Sequence, residues 1–294
     1  MQAKNFLRLY EAGYRNFRGV DLRAADLSHR ILVGVDLSEA NLAQANLSRA
    51  FLTKANFTGA NLHRANLQFA KLSESQFVSA NLTKAVGLGA FWVRADLTSA
   101  QLSGANLGHV NFRQSCLEQA NLCSASLYGT NLREANLSAA NLDWANLSEA
   151  RLYGATLTAA RLNGANFTRA MLNGLDFSGF DLSGVSFTGA RARGARFVES
   201  NLIAADFTKA CLQHADFTAA QLAGANLTGA QLQRAILQAA NLNRADLTRA
   251  DLSQADLTDT LLETAQRSAT ALAELRQLAD GSAQSTLQLD WGLS

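Results

Sequence analysis

Every fifth residue from Phe17 to Leu262 is Leu or Phe at 47 of 50 positions, the exceptions being Gly87, Trp92 and Ala192. Two residues before each the position is small nearly throughout, Ala at 37 of the 50, with Arg15, Val20, Arg30 and Val35 where the repeats begin imperfectly. No insertion or deletion shifts the phase. A period of five is neither the 3.6 of a helix nor the 2 of a strand. Within each unit the Leu or Phe and the Ala two before it have strand spacing, so both point inward and the residue between them points out. That middle residue is mostly Asn or Asp. The two residues after the Leu are polar or small and suit a solvent-facing corner. Each unit is a very short strand and a turn. Such units must wind into a solenoid, whose stacked coils bury a continuous core that one repeat cannot.

Units such as Ala40-Asn41-Leu42-Ala43-Gln44 and Ala135-Asn136-Leu137-Ser138-Ala139 resemble the pentapeptide repeat family, and the resemblance covers about five-sixths of the chain. It implies an all-β solenoid: a right-handed quadrilateral parallel β-helix with four units per coil. Residues 20 apart then stack on one face. Six of the ten central Phe (Phe17, Phe57, Phe77, Phe177, Phe197, Phe217) fall on a single face in this register. Outward charge sorts with it. The phenylalanine-rich face carries Asp36, Glu39, Asp96, Glu118, Asp176, Glu199, Asp216, Asp256 and Asp259 against Arg18 and Arg196. The face just before it is basic, with Lys54, Lys71, Arg94, Arg113, Arg133, Arg151, Arg191, Arg193 and Arg234 against Glu74, Glu134 and Asp251. Fifty units give about 12.5 coils, an expected rod of about 60 Å at roughly 4.8 Å per stacked strand.

Read in order, residues 1–14 hold an N-terminal capping helix, with Phe6, Leu7, Leu9 and Tyr10 on its apolar side and Gly13 as its stop. The β-helix runs over 15–260 in about 12 coils. Thr260 and Glu263 form a capping-box pattern, which predicts a C-terminal capping helix over 261–281. The tail 282–294 is open to several readings. Solenoid ends expose core and strand edges, which is why caps are expected.

Two stretches break the pattern. At 86–93, Gly87 leaves a hole at an inward position and Trp92 overfills the next. Mutual compensation of core volume is one reading, and a local bulge forming a site is the other. At 171–197, Leu175, Phe180 and Val185 replace Ala, Ala192 replaces Leu, and Gly174, Gly179, Gly184, Gly189 and Gly194 occupy successive corners. A change of turn type or a slight kink is expected there.

The net charge of +2 gives no overall field toward nucleic acid. The chain has no Pro, which suits stacked backbone ladders. Cys116, Cys123 and Cys211 are far apart without a CxxC, and read as reduced thiols of a cytoplasmic protein. Met1 to Tyr10 holds no long apolar run, so neither a signal peptide nor a membrane span is expected.

Catalysis needs groups converging in a concave site, and an uninterrupted β-helix offers flat walls. No HExxH, P-loop, GxSxG or zinc spacing appears, and His29 and His109 stand four coils apart, roughly 19 Å. No enzyme activity, metal or cofactor is expected. Outward residues in the first half are unusually apolar: Ile31, Val33, Phe51, Phe69, Leu88, Phe91 and Val93 fall on two neighbouring faces. Contiguous exposed apolar surface marks a partner site, and scattered apolar residues are the alternative. The basic face (Lys54, Lys71, Arg94, Arg113, Arg133, Arg151, Arg191, Arg193) admits phosphate binding, but a solvated charge column is the favoured reading.

The leading expectation is a non-enzymatic, monomeric rod acting as a rigid surface for an unidentified protein partner. The resemblance also brings a second class: some family members mimic DNA and bind DNA gyrase, protecting it from quinolone drugs or toxins. Here one face alone is acidic and no loop interrupts the coils, which weakens that analogy.

Overall fold

The computed structural model describes residues 1–265. The expected C-terminal helix beyond that point and the tail lie outside the described residues. The chain divides into two compact units, Met1–Arg161 and Leu162–Ser294. Both are built from right-handed quadrilateral β-helix coils.

In the first unit, parallel bridges join each middle residue to the one 20 further on, from Asn16↔Asp36 to Asn141↔Arg161. In the second the same register runs from Asn166↔Ser186 to Asn241↔Leu261. The period-five residues and their small partners line the interior: Leu37, Leu42 and Ala40 in the first unit, Phe197, Leu212 and Ala210 in the second, all without solvent exposure. The first unit stacks Phe57 on Phe77 at 4.7 Å and Trp92 on Phe112 at 5.3 Å. The second carries two phenyl columns. Phe177, Phe197 and Phe217 stack at 5.2 and 4.9 Å, and Phe167, Phe187 and Phe207 at 5.3 and 4.8 Å. Edge contacts near 5.7 Å tie the columns together. Such pairs each add about 0.5–1.5 kcal/mol beyond area burial.

The corner geometry explains the remaining three residues of the unit. The N–H three residues after each Leu or Phe donates back to its carbonyl, as Ala40 does to Leu37 at 3.1 Å. The second corner residue has φ near +60° at every corner from Gly19 to Asp259. A left-handed second central residue makes this a type II turn. The Asn or Asp of the unit accepts the N–H of the first corner residue, as Asp36 does from Ser38 at 3.0 Å and Asn61 from His63 at 3.1 Å. Its amide also reaches the coil before: Asn61 Nδ2 donates to Asn41 Oδ1 at 3.3 Å. These residues are therefore half-buried tethers as well as surface residues.

Where Ser or Thr replaces the small inward residue, its hydroxyl is satisfied internally. Ser115 donates to the Phe112 carbonyl at 2.6 Å and Thr130 to that of Leu127 at 2.7 Å.

Helix α1 spans Ala3–Glu11. It buries Phe6 edge-on against Phe17 at 4.5 Å, and its Tyr10 hydroxyl donates to the Val33 carbonyl at 3.0 Å. Two expectations need correction. Corners Gly174 to Gly194 have φ of 62–72°, the same left-handed turn as elsewhere, so the turn type does not change there. The glycines occupy a position that is left-handed whichever residue fills it. Thr260 does not cap a helix: it is buried and donates to the Leu237 carbonyl at 2.8 Å, while Leu261 pairs with Asn241 as one more repeat.

Candidate interaction surface

All seven apolar residues singled out from the sequence lie in the first unit, Met1–Arg161. Ile31, Phe51, Lys71 and Phe91 form one bridged ladder, each stacked on the next across successive coils. Ile31 is 68% exposed, Phe51 47% and Phe91 38%. Val33 is exposed, and Val93 half-buried, on the corners of that same face. Phe69 and Leu88 sit across the neighbouring edge, the first exposed and the second half-buried.

Glycine makes room for this second pair. A Cβ on Gly89 would stand 2.7 Å from the Phe69 ring, and one on Gly108 would stand 3.1 Å from Leu88 Cδ1. The Phe69 ring thus lies over a corner that tolerates no side chain. Arg49 covers it from the other coil, its guanidinium carbon 5.3 Å from the ring centre. Lys71 Nζ lies 3.4 Å from the centre of the Phe91 ring. These are cation–π contacts that hold both cations against the surface.

Between them runs a groove of about 510 Å³ lined by His29, Arg49, Phe51, Phe69, Lys71 and Phe91. A second depression of about 380 Å³ shares His29 and continues past Ile31 to Leu7, Tyr10 and Glu11 of α1. Four of the seven apolar residues, Ile31, Phe51, Phe69 and Phe91, thus border two depressions that share His29.

The ladder also departs from the repeat's own chemistry. At Ile31, Phe51, Lys71 and Phe91 the Asn or Asp of the unit is missing. Among the described residues, the corner N–H groups of Val33, Thr53, Ser73 and Val93 have no side-chain acceptor of the kind seen elsewhere. On the same face the acceptor returns at Asn111 and Asn131, which take the N–H of Arg113 and Arg133 at 3.2 and 3.4 Å. The sequence reading noticed the apolar residues but not this break.

The basic face is less of a site than its composition implies. In the first unit Glu74 meets Arg94 at 2.6 Å and Lys54 at 3.8 Å, and Lys71 is held over Phe91. Arg113, Arg133 and Arg151 remain as exposed cations. Arg191 and Arg193 belong to the second unit. There Arg193 lines a polar depression of about 460 Å³ with Gln213, His214, Gln233 and Arg234.

Of the acidic-face residues, Asp36 and Asp96 in the first unit and Asp176, Asp216 and Asp256 in the second each accept the N–H of their own corner. Glu39 pairs with Arg18 and Asp176 with Arg196. Much of that charge is engaged in the fold itself.

Among the described residues no group of three or more His, Cys, Asp or Glu could hold a metal ion. Cys116, Cys123 and Cys211 are free thiols. No helix among the described residues is long and apolar enough to cross a membrane.

Pentapeptide repeats match the sequence in eight copies, over residues 21–59, 60–86, 75–114, 115–152, 150–189, 181–219 and 225–263. The chain belongs to the pentapeptide repeat family. Among solved structures it is similar to HetL, a pentapeptide repeat protein involved in heterocyst differentiation regulation from the cyanobacterium Nostoc sp. strain PCC 7120. The identity is 33%, over 90% of this chain and 96% of that one, with a TM-score of 0.36. Alr5209, a pentapeptide repeat protein from Nostoc, is 32% identical over 37% of this chain and 80% of its own, with a TM-score of 0.28. QnrB1, a plasmid-mediated fluoroquinolone resistance protein, is 16% identical over 78% of this chain and 98% of its own, with a TM-score of 0.40. No curated protein matches the chain.

Proposed function

We propose that this pentapeptide repeat protein is a non-enzymatic docking scaffold that presents the surface around Phe51 and Phe91 to another protein. One observation carries the reading: the ladder Ile31–Phe51–Lys71–Phe91, with three exposed apolar side chains among its four, on a face whose backbone is fixed by coil-to-coil bridges. Exposed apolar surface of this kind marks protein contacts. A surface fixed in advance loses little conformational entropy on binding. The groove sets one histidine among cations and phenyl rings with no carboxylate or hydroxyl beside it, which favours binding over catalysis. Three free thiols suit a reducing compartment, the cytoplasm.

The test uses the chain's own alternative residue. Phe51→Asn with Phe91→Asn restores the usual repeat residue at both positions. Affinity capture with the intact protein should yield a partner that the double variant loses, with no fall in its melting temperature. A capture profile identical for both proteins refutes the reading.

The two other classes have weaker support. For nucleic acid, Glu74 and Phe91 engage three of the six cations on the basic face of the first unit. A filter-binding titration at low salt should show no DNA or RNA retention. For gyrase mimicry, five of the nine acidic-face carboxylates named above bond their own corners. Added protein should leave gyrase supercoiling unchanged.

A further inference from the structure

We infer that the groove between Phe51, Phe69 and Phe91 takes a short acidic segment of a partner protein, one that pairs carboxylates with Arg49 and Lys71 and sets an apolar side chain against Phe51. This rests on the docking reading above and narrows the partner's chemistry.

Charge complementarity is the first argument. The groove is lined by three cationic or basic residues, His29, Arg49 and Lys71, and three phenyl rings, with no carboxylate among them. Glu74, the acid on the same face, already meets Lys54 and Arg94. Glu11 lines the adjoining depression beside α1 and not the groove itself. An acidic segment therefore meets two held cations, and a basic one meets repulsion.

The second argument separates a peptide from a nucleic acid. Stacking of bases needs a free aromatic face. One face of Phe91 is occupied by Lys71 Nζ at 3.4 Å. Phe69 is enclosed by Arg49 and by the Gly89 corner. The surface offers the Phe51 ring and two cation donors, which suit an apolar side chain flanked by carboxylates.

Length follows from the coil spacing. Ile31 to Phe91 spans three coil rises, roughly 14 Å, which about four or five extended residues cover. Phe51 lies between Ile31 and Lys71 on the bridged ladder, so an apolar side chain meets phenyl and aliphatic surface there with a cation beside it.

The test pans a displayed random peptide library against the intact chain. Selected peptides are then synthesised and their affinities measured for two double variants. Arg49→Gln with Lys71→Gln removes the cations. Gln already stands at equivalent places, at the corner of Gln44 and in the middle of the Gln76 unit, so folding is preserved. Phe51→Asn with Phe91→Asn removes the rings. A third arm titrates oligo(dT) at low salt.

The expected result is enrichment of sequences combining Asp or Glu with Leu, Phe or Trp. Their affinity should fall at least about tenfold in the Gln variant, because two charge-assisted contacts are lost. It should also weaken as salt rises. Enriched peptides that are neutral or basic, yet still lost in the Asn variant, overturn the acidic partner while leaving the docking surface in place. Enriched peptides indifferent to the Asn variant overturn both, and so does a library that yields no enrichment. Oligo(dT) binding that disappears with Arg49 and Lys71 assigns the groove to nucleic acid instead.

Discussion

Gly87 and Trp92 offer the most demanding test of how this core is filled. Trp92 is fully buried, stacked on Phe112 at 5.3 Å and edge-on to Phe77 at 5.6 Å. A Cβ on Gly87 would stand 3.0 Å from Trp92 Cζ3 and 3.1 Å from Leu107 Cδ2. The indole thus occupies the volume that a period-five Leu at position 87 would fill. Restoring that Leu alone, Gly87→Leu, forces an overpacked interior and should destabilise by about 1–3 kcal/mol. Trp92→Leu alone leaves a cavity, with an expected loss of about 2–5 kcal/mol for a large-to-small change. That loss is partly offset because the indole N–H has no partner and an unpaired buried donor costs about 1–3 kcal/mol. The double variant carries the repeat's own leucines at both sites and should lose less than about 1.5 kcal/mol, as volume-conserving swaps do. The coupling energy from a double-mutant cycle should then reach about 2 kcal/mol in favour of the pair. Urea unfolding followed by circular dichroism measures all four proteins. Additivity within about 0.5 kcal/mol would show that the two side chains do not share one space, and the compensation argument would be wrong.

Three further outcomes follow from the same geometry. Phe197→Ala removes the centre of a phenyl column stacked at 5.2 and 4.9 Å on either side, and should cost about 3–5 kcal/mol in urea unfolding. Asn61→Ala loses the N–H of His63, the amide bond to Asn41 and the one from Asn81, and should cost about 1–3 kcal/mol, whereas the exposed Arg113→Ala should change stability by less than about 0.5 kcal/mol. Acid should destabilise: the Arg23 guanidinium beside Asp21 lowers its carboxyl from 3.8 to about 2, and the Ser253 hydroxyl holds Asp251 below its usual range. A carboxyl depressed in the folded chain takes up its proton first in the unfolded one. Its contribution is complete above the unfolded pKa near 3.8 and is lost as pH falls toward 2. Melting temperature should therefore be level between about pH 7 and 5 and drop below about pH 4.

The twenty-residue register was legible because it is written in core volume. Phe177, Phe197 and Phe217 can stack only if four units close a coil, and they do stack. The corner conformation was equally present in the sequence but went unread. From Gly19 to Asp259 the second corner position never holds Val, Ile or Thr, and it takes fifteen of the chain's twenty glycines. That is the pattern of a left-handed residue, which β-branched side chains resist. Missing it led to the expectation of a special turn at Gly174–Gly194. At the surface, the exposed apolar residues could be picked out one by one, but the seat of Phe69 on Gly89 and of Lys71 on Phe91 depends on rotamers that spacing does not specify.

The division of labour inside the unit bears on where the proposed docking surface falls. The inward pair is committed to the core, and the second corner residue to a left-handed backbone. The Asn or Asp is committed to its corner N–H and, in many coils, to the next coil. The first corner side chain is the least constrained, although a Ser or Thr there often donates to the unit's own Asp or Asn, as Thr98 does to Asp96 and Ser148 to Asn146. A surface that recruits the Asn/Asp position must therefore give up hydrogen bonds, each contributing about 0.5–1.5 kcal/mol. The Ile31–Phe51–Lys71–Phe91 ladder does so over four successive coils, and the tether resumes at Asn111. Departures such as Gln76, Val86 or Ser126 stand singly between Asn or Asp neighbours 20 residues away, and a second run at the ladder's place in the register, Arg151, Met171, Arg191, Cys211 and Gln231, holds no aromatic residue. The run from Ile31 to Phe91 replaces the tether with large side chains that are exposed at three of its four positions. The Lys71–Phe91 contact returns part of what the lost tethers gave, and local rules broken in series are what a proposed binding surface would leave behind. Asn at all four positions would leave the inward residues of these coils unchanged, and on that ground the docking surface is proposed here.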